Sequence, residues 1–206
     1  MTYTLRITNT GNAIDTFTLA ASGNSWATSA PTTVGPLDSG AGANVTVSVT
    51  VASNAAAGAT DIAILTVTSQ GDATRSASST LTTTANTVRG VTIAPSTAAQ
   101  SGRSGATVTY TLRLTNTGNA VDTLAVAVGS TIFTTTVMPT SIGPLAAGAG
   151  AGITVTVQIP KNMVNTMSDI AAITTTSQGD PTKSAISTLT TTGIVYKIFL
   201  PIVLRQ

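Results

Sequence analysis

Seven aspartates supply all the acidic side chains of this 206-residue chain, which contains no glutamate, histidine or cysteine. Six of the seven recur in register: Asp15 with Asp122, Asp61 with Asp169, and Asp72 with Asp180. Carboxylates set among Asn and Gly are the raw material of a Ca²⁺ site, because hard cations take oxygen ligands. Such a site needs several carboxylates converging, and each recurring set offers three that are far apart in sequence. The same aspartates in "NTGNAID" and "SQGD" also serve as turn formers that bond their own backbone. The spacing favours turns, with no metal and no cofactor.

Acid–base or nucleophilic catalysis has little to work with. It needs a group whose pKa can be tuned toward the working pH, and only Asp, Tyr and Lys remain. Nothing in their spacing brings them together. The glycines stand in turn-like strings rather than in a phosphate-cradling loop that opens onto a helix. The chain reads as a non-enzyme, with no catalytic residue. Its basic residues (Arg6, Arg75, Arg89, Arg103, Arg113, Lys161, Lys183, Lys197 and Arg205) are scattered, and the net charge is only +2. Nucleic-acid binders gather such charges on one face, so no nucleic-acid partner is expected. Trp26, the only tryptophan, reads as core filling rather than a sugar-stacking platform.

These residues are carried on a chain that repeats itself. "YTLRITNTGNAIDT" at 3–16 returns as "YTLRLTNTGNAVDT" at 110–123, with 12 of 14 positions identical. "GPL" at 35–37 returns at 143–145, "SQGD" at 69–72 returns at 177–180, and "STLTTT" at 79–84 returns at 187–192. The offset is 107 residues at first and 108 later, so one residue is inserted near Trp26. Self-similarity at this period means two homologous units, expected at 1–86 and 87–193, with a tail at 194–206.

Within each unit the hydrophobic period is two. Tyr3, Leu5 and Ile7 alternate with polar residues, and so do Val45, Val47, Val49 and Val51. Charged residues make up 8% of the chain and aromatics 3%, against 42% hydrophobic. The cores must therefore be built from Val, Ile, Leu and Ala. Alternating β-branched runs broken by Gly, Asn, Asp and Pro predict half-buried antiparallel strands. They are expected at 2–8, 14–21, 25–29, 43–52, 61–68 and 74–84. In the second unit they are expected at 90–94, 106–116, 121–128, 131–137, 152–159, 168–175 and 182–192. The fold class expected is all-β, with two tandem Ig-like antiparallel sandwiches.

This succession of "YTLRITNTGNAIDTFTL", "GPL", a valine strand and "SQGD" resembles the tandem Ig-like repeats of bacterial and archaeal surface proteins. The CARDB (cell-adhesion-related) type and the alpha-galactosidase-associated type are the nearest in pattern. The resemblance covers nearly all of the chain except the tail, whose "FLPIVL" is similar to the "LPLV"-type endings of secreted Chloroflexi proteins. It implies an extracellular or cell-surface setting and service as a stalk, spacer, adhesin or carbohydrate-enzyme accessory, with surface glycans as one partner class. One departure is that "TDIAIL" and "SDIAAI" lack the tyrosine expected near the start of that strand, leaving Asp61 and Asp169 to cap the turn.

The ends of the repeats are unequal. Tyr110 follows the preceding "TTT" by 25 residues, including "VRGVTIAPS", whereas Tyr3 follows only Met1 and Thr2. The first unit is thus expected to lack its first strand and to expose an acceptor edge along Tyr3, Leu5 and Ile7. The tail offers Ile194, Tyr196, Ile198, Leu200, Ile202 and Leu204 on one face of a strand. At eleven residues, broken by Lys197 and Pro201, the run from Ile194 to Leu204 is too short to span a membrane, which takes about 20. Strand addition pairs main chains and seats alternate side chains, and a head-to-tail contact that does not close propagates a filament. The function expected is a filament subunit that donates residues 194–206 to the first unit of the next copy. The alternative is a carbohydrate-binding or spacer module of a larger secreted adhesin or enzyme.

Overall fold

The computed structural model describes residues 1–196, and among these there is no helix. The chain forms two compact units, Met1–Thr87 and Val88–Gln206. Each is an Ig-like β-sandwich, antiparallel throughout in unit 1 and in all pairings but one in unit 2, so the expected all-β class holds.

Unit 1 has seven strands: β1 (Thr2–Thr8), β2 (Asp15–Ser22), β3 (Ala27–Ser29), β4 (Thr33–Leu37), β5 (Gly42–Thr50), β6 (Thr60–Ser69) and β7 (Ser76–Thr84). One sheet runs β1-β5-β3 and the other β4-β2-β6-β7. The period-two pattern explains the layers. Val45, Val47 and Val49 of β5 point inward while Thr46, Ser48 and Thr50 face solvent. The core falls into two clusters, one around Ile7, Leu19, Val47 and Leu65, the other around Trp26, Val49 and Ala85.

Unit 2 repeats this plan with nine strands: β8 (Val91–Ala94), β9 (Thr97–Arg103), β10 (Thr107–Asn116), β11 (Asp122–Val128), β12 (Thr134–Met138), β13 (Ser141–Leu145), β14 (Gly150–Gln158), β15 (Met167–Ser177) and β16 (Ser184–Ile194). Its sheets run β12-β14-β10-β8 and β13-β11-β15-β16-β9. Here one continuous cluster includes Val91, Ile93, Tyr110, Leu112, Leu114, Phe133 and Leu189.

The two extra strands make the difference between the units. Residues 91–103 pair antiparallel with β10 through β8 (Leu114 opposite Ile93), then cross at Pro95 to pair in parallel with β16 through β9 (Leu189 opposite Ala98). The sequence anticipated a single first strand here; the segment instead serves both sheets. Ala, Ser and Gly in "TAAQSGR" are poor strand formers, and it is pairing with β16 that makes them one. Strands β4 and β13 likewise lie outside the strands expected from the pattern, because "GPL" places Gly and Pro inside them.

Candidate functional site

The recurring aspartates are internal clips. Asp15 at the start of β2 accepts the Thr16 amide at 2.8 Å and the Gly71 amide at 3.1 Å, and it takes a short hydrogen bond from the Ser69 hydroxyl. Asp122 repeats this with Thr123, Gly179 and Ser177. Asp61 accepts the Ser25 and Trp26 amides, and Asp169 those of Ile132 and Phe133. Asp61 on β6 therefore clips the turn that leads into β3, and Asp169 on β15 the turn that leads into β12. Asp72 and Asp180 accept from the amide and hydroxyl of Thr74 and Thr182. Hydrogen bonding to the charged form lowers a carboxyl pKa. The Ser69 hydroxyl holds that of Asp15 below its ordinary value, the Ser25 amide does so for Asp61, and the Thr74 and Thr182 hydroxyls do so for Asp72 and Asp180. For Asp122 burial acts to raise the pKa, and the Ser177 hydroxyl with the Gly179 and Thr123 amides and Arg89 outweighs it. Trp26 is 9% exposed and its counterpart Phe133 is 1% exposed, so both fill cores. No group of three or more metal-ligating side chains occurs among the described residues.

The notable surface is the open side of unit 1. Among the described residues, no strand pairs with the outer edge of β1 or of β7. Between those edges lies a groove of about 470 Å³ floored by Leu5, Ile7, Phe17, Leu65 and Val67, with Ser79 on its wall. The repeat offset identifies what fills the same place in unit 2: the β8–β9 segment. Its sealing effect is visible residue by residue. Leu112 and Leu114 are 1% and 0% exposed, whereas their counterpart Leu5 is only half-buried and Ile7 sits at 8%. Phe17 is half-buried where Leu124 is fully buried. The Tyr3 hydroxyl bonds the Thr82 carbonyl and Thr83 hydroxyl across the sandwich, as Tyr110 does with Thr190 and Thr191. Thus Tyr3, Leu5 and Ile7 all lie on β1, and Leu5 and Ile7 line the groove.

Unit 2 also shows which polar groups receive the segment. The Thr117 amide donates to the Gly90 carbonyl and the Asn119 amide to the Val88 carbonyl, each within 3.0 Å. The Ser187 hydroxyl donates to the Pro95 carbonyl at 2.7 Å, and the Thr188 amide to the Ser96 carbonyl at 2.9 Å. Unit 1 retains every one of these residue types, as Thr10, Asn12, Ser79 and Thr80. It also retains the clearance. A Cβ at Gly118 would stand 2.4 Å from the Val88 carbonyl oxygen, whereas at Gly11 it would meet only the Asn9 side chain, at 3.2 Å. Unit 1 thus keeps the residue types that hold β8 and β9 in unit 2, with open space at Gly11 where Val88 lies against Gly118.

Of the proposed donor residues, Ile194 is the last residue of β16, opposite Arg103, with its carbonyl accepting the Ser104 amide. Tyr196 is exposed, with the Arg103 guanidinium 5.3 Å from its ring centroid. Ile198, Leu200, Ile202 and Leu204 lie outside the described residues. No helix among the described residues is long and apolar enough to cross a membrane.

No protein-family model matches the chain, and no curated protein matches it. Among solved structures it is similar to the ASH/PapD-like domain of human CEP192, at 13% identity and a TM-score of 0.39 over 53% of this chain and 87% of that one. It is similar to zebrafish RET cadherin-like domains 1 to 4 at 10% identity and a TM-score of 0.35, over 86% of this chain and 41% of that one. A protein of unknown function from Porphyromonas gingivalis W83 matches at 14% identity and a TM-score of 0.34, over 95% and 92% of the two chains. At these scores the fold assignment rests on the sheet order described above, and nothing about binding or assembly transfers.

Proposed function

We propose that this chain is a structural subunit of an extracellular fibre, in which unit 1 accepts an extended strand and the residues after β16 supply one to the next copy. The observation that carries the reading is the internal template. The same groove, with the same flanking residues, is filled in unit 2 by a strand that runs along both sheets. Main-chain ladders on two edges give affinity, and alternate apolar side chains entering the groove give fit. The segment 196–206 carries five aliphatic residues (Ile198, Leu200, Ile202, Val203 and Leu204) and the aromatic Phe199 in eleven positions. That is the chemistry an apolar groove selects. The contact is heterologous, so it propagates rather than closes. The cell-surface setting follows the resemblance to surface repeats.

The test compares the intact chain with one ending at Tyr196, which spares β16, by negative-stain electron microscopy and analytical ultracentrifugation. Fibres from the intact chain, lost on truncation and blocked by Gly11→Ala, support the proposal. Fibres from the truncated chain would sink it. So would an intact chain that stays monomeric with residues 197–206 protected against its own unit 2, or a longer natural polypeptide whose preceding residues fill the groove. A monomer that binds glycans equally well with and without the tail would favour a carbohydrate-binding module instead.

A further inference from the structure

The strand-accepting reading leaves open how the groove recognises the correct end and register of its occupant, and the inference that follows rests on that reading. We infer that Asp15 is the specificity determinant at the mouth of the groove, its carboxylate receiving a cationic side chain, best a guanidinium, that leads the incoming strand.

Unit 2 provides the pattern. Arg89 precedes the first inward residue of the segment, Val91, by two positions. Its Nη1 donates a short hydrogen bond to the Val121 carbonyl and lies 3.8 Å from Asp122 Oδ1, with the side chain 24% exposed. The guanidinium rests on Gly179, where a Cβ would come within 2.7 Å of Arg89 Cζ. A planar fork held between a carbonyl, a carboxylate and a glycine face is the geometry arginine fits and lysine fits less well.

Unit 1 keeps the receiver. Asp15 is oriented by the same three donors as Asp122, and it faces a cavity of about 710 Å³ whose wall includes Ile14, Gly71 and Asp72. Ile14 and Gly71 are the counterparts of Val121 and Gly179. Among the described residues, no Lys or Arg of unit 1 makes an ion pair with Asp15, since Arg75 pairs with Asp72 at 3.5 Å and projects into solvent. The carboxylate is therefore presented, ionised and fixed, to whatever enters. This cavity adjoins the apolar groove, the two sharing Thr10, Phe17 and Arg75. The occupant defined by these walls reads cation, then an apolar residue two positions on, another two further, then the crossing: Arg89, Val91, Ile93 and Pro95 in the template. In the tail, Lys197 stands one position before Ile198, so in a regular strand it faces away from Ile198 and Leu200, and the 87–104 sequence is the one that matches these walls.

The test measures binding of two labelled synthetic peptides, residues 87–104 and residues 193–206, to the chain ending at Tyr196, which keeps β16 and lacks the donor segment, by fluorescence anisotropy. The 87–104 peptide is expected to bind, and Arg89→Ala within the peptide to weaken it about tenfold, the scale of one partly exposed charge-assisted pair. Asp15→Asn in the protein is expected to cause the same loss and to add nothing to it, while Asp122→Asn leaves binding unchanged. Because Asp15 also clips its own turn, Gly71→Ala provides a second arm. Its methyl would stand 3.3 Å from Asp15 Oδ1, a contact that a shift of a few tenths of an ångström relieves, and it obstructs the guanidinium. Binding that is indifferent to Arg89→Ala in the peptide, or additive losses with Asp15→Asn, would overturn the role of Asp15 while leaving the groove a strand acceptor. Failure of both peptides to bind would overturn the strand-accepting reading, and this inference with it.

Discussion

If residues 91–103 seal unit 2, then weakening that seal must destabilise unit 2 alone, and by an amount its burial sets. Ile93 is 7% exposed and stands opposite Leu114, itself 0% exposed. Ile→Ala in a core costs about 2–5 kcal/mol, and because β8 is an edge strand that can relax outward, the lower part of that range, about 2–3 kcal/mol, applies to Ile93→Ala. With a urea slope of about 2 kcal/mol/M for a unit of this size, the unfolding midpoint falls by about 1–1.5 M. The single tryptophan makes the assay specific, because Trp26 lies in the core of unit 1 and its fluorescence follows that unit, while far-UV circular dichroism follows both. The expected result is a dichroism transition of unit 2 moved down by that amount with the Trp26 transition unmoved. A shift below about 0.3 M would show that the segment does not seal the sandwich, and an equal shift of the Trp26 signal would show that the units do not unfold separately. Either result removes the template on which the reading of unit 1 depends.

Two further expectations use the same assay on the chain ending at Tyr196. Gly118→Ala drives a methyl into the Val88 carbonyl and should cost about 1–3 kcal/mol, whereas Gly11→Ala, with only the Asn9 side chain near it, should stay within about 0.5 kcal/mol; equal costs would contradict the open mouth of the groove. Acid should act only late. Asp15, Asp61, Asp72, Asp122 and Asp180 all have folded pKa values below their ordinary value, so the unfolded chain binds more protons as pH falls through about 4 and below, and stability present above that range is lost within it. With neither His nor Glu in the chain, the urea midpoint should be nearly flat from about pH 7 to 5, and a marked fall across that interval would refute the assignment.

Much of the architecture was legible because one period dominates it. The alternation in "TYTLRIT" and "NVTVSVT" gave β1 and β5 almost to the residue, and the repeated "YTLR" gave two units. The strands missed were those whose side chains do not announce them: β9 is made of small residues held by a parallel partner, and β4 and β13 contain Gly-Pro. The aspartates were legible as turn formers, which they are. The reception of Arg89 by Asp122 was not, since the two are 33 residues apart in the sequence. The open edge could be counted from the unequal spacing ahead of the two "YTLR" runs. The receiving hydroxyls, amides and glycines emerged only when one unit was laid on the other.

The parallel alignment of β9 with β16 has a mechanical consequence. Strand β9 begins at Thr97 and β16 ends at Ile194, at opposite ends of a ladder seven residue pairs long. Traction on the two termini draws these neighbouring strands past each other lengthwise. Every rung then bears load together, and rupture requires breaking them as a set instead of unzipping one after another. The first module gains the same resistance to stretching only when a second strand lies along β7 in that sense.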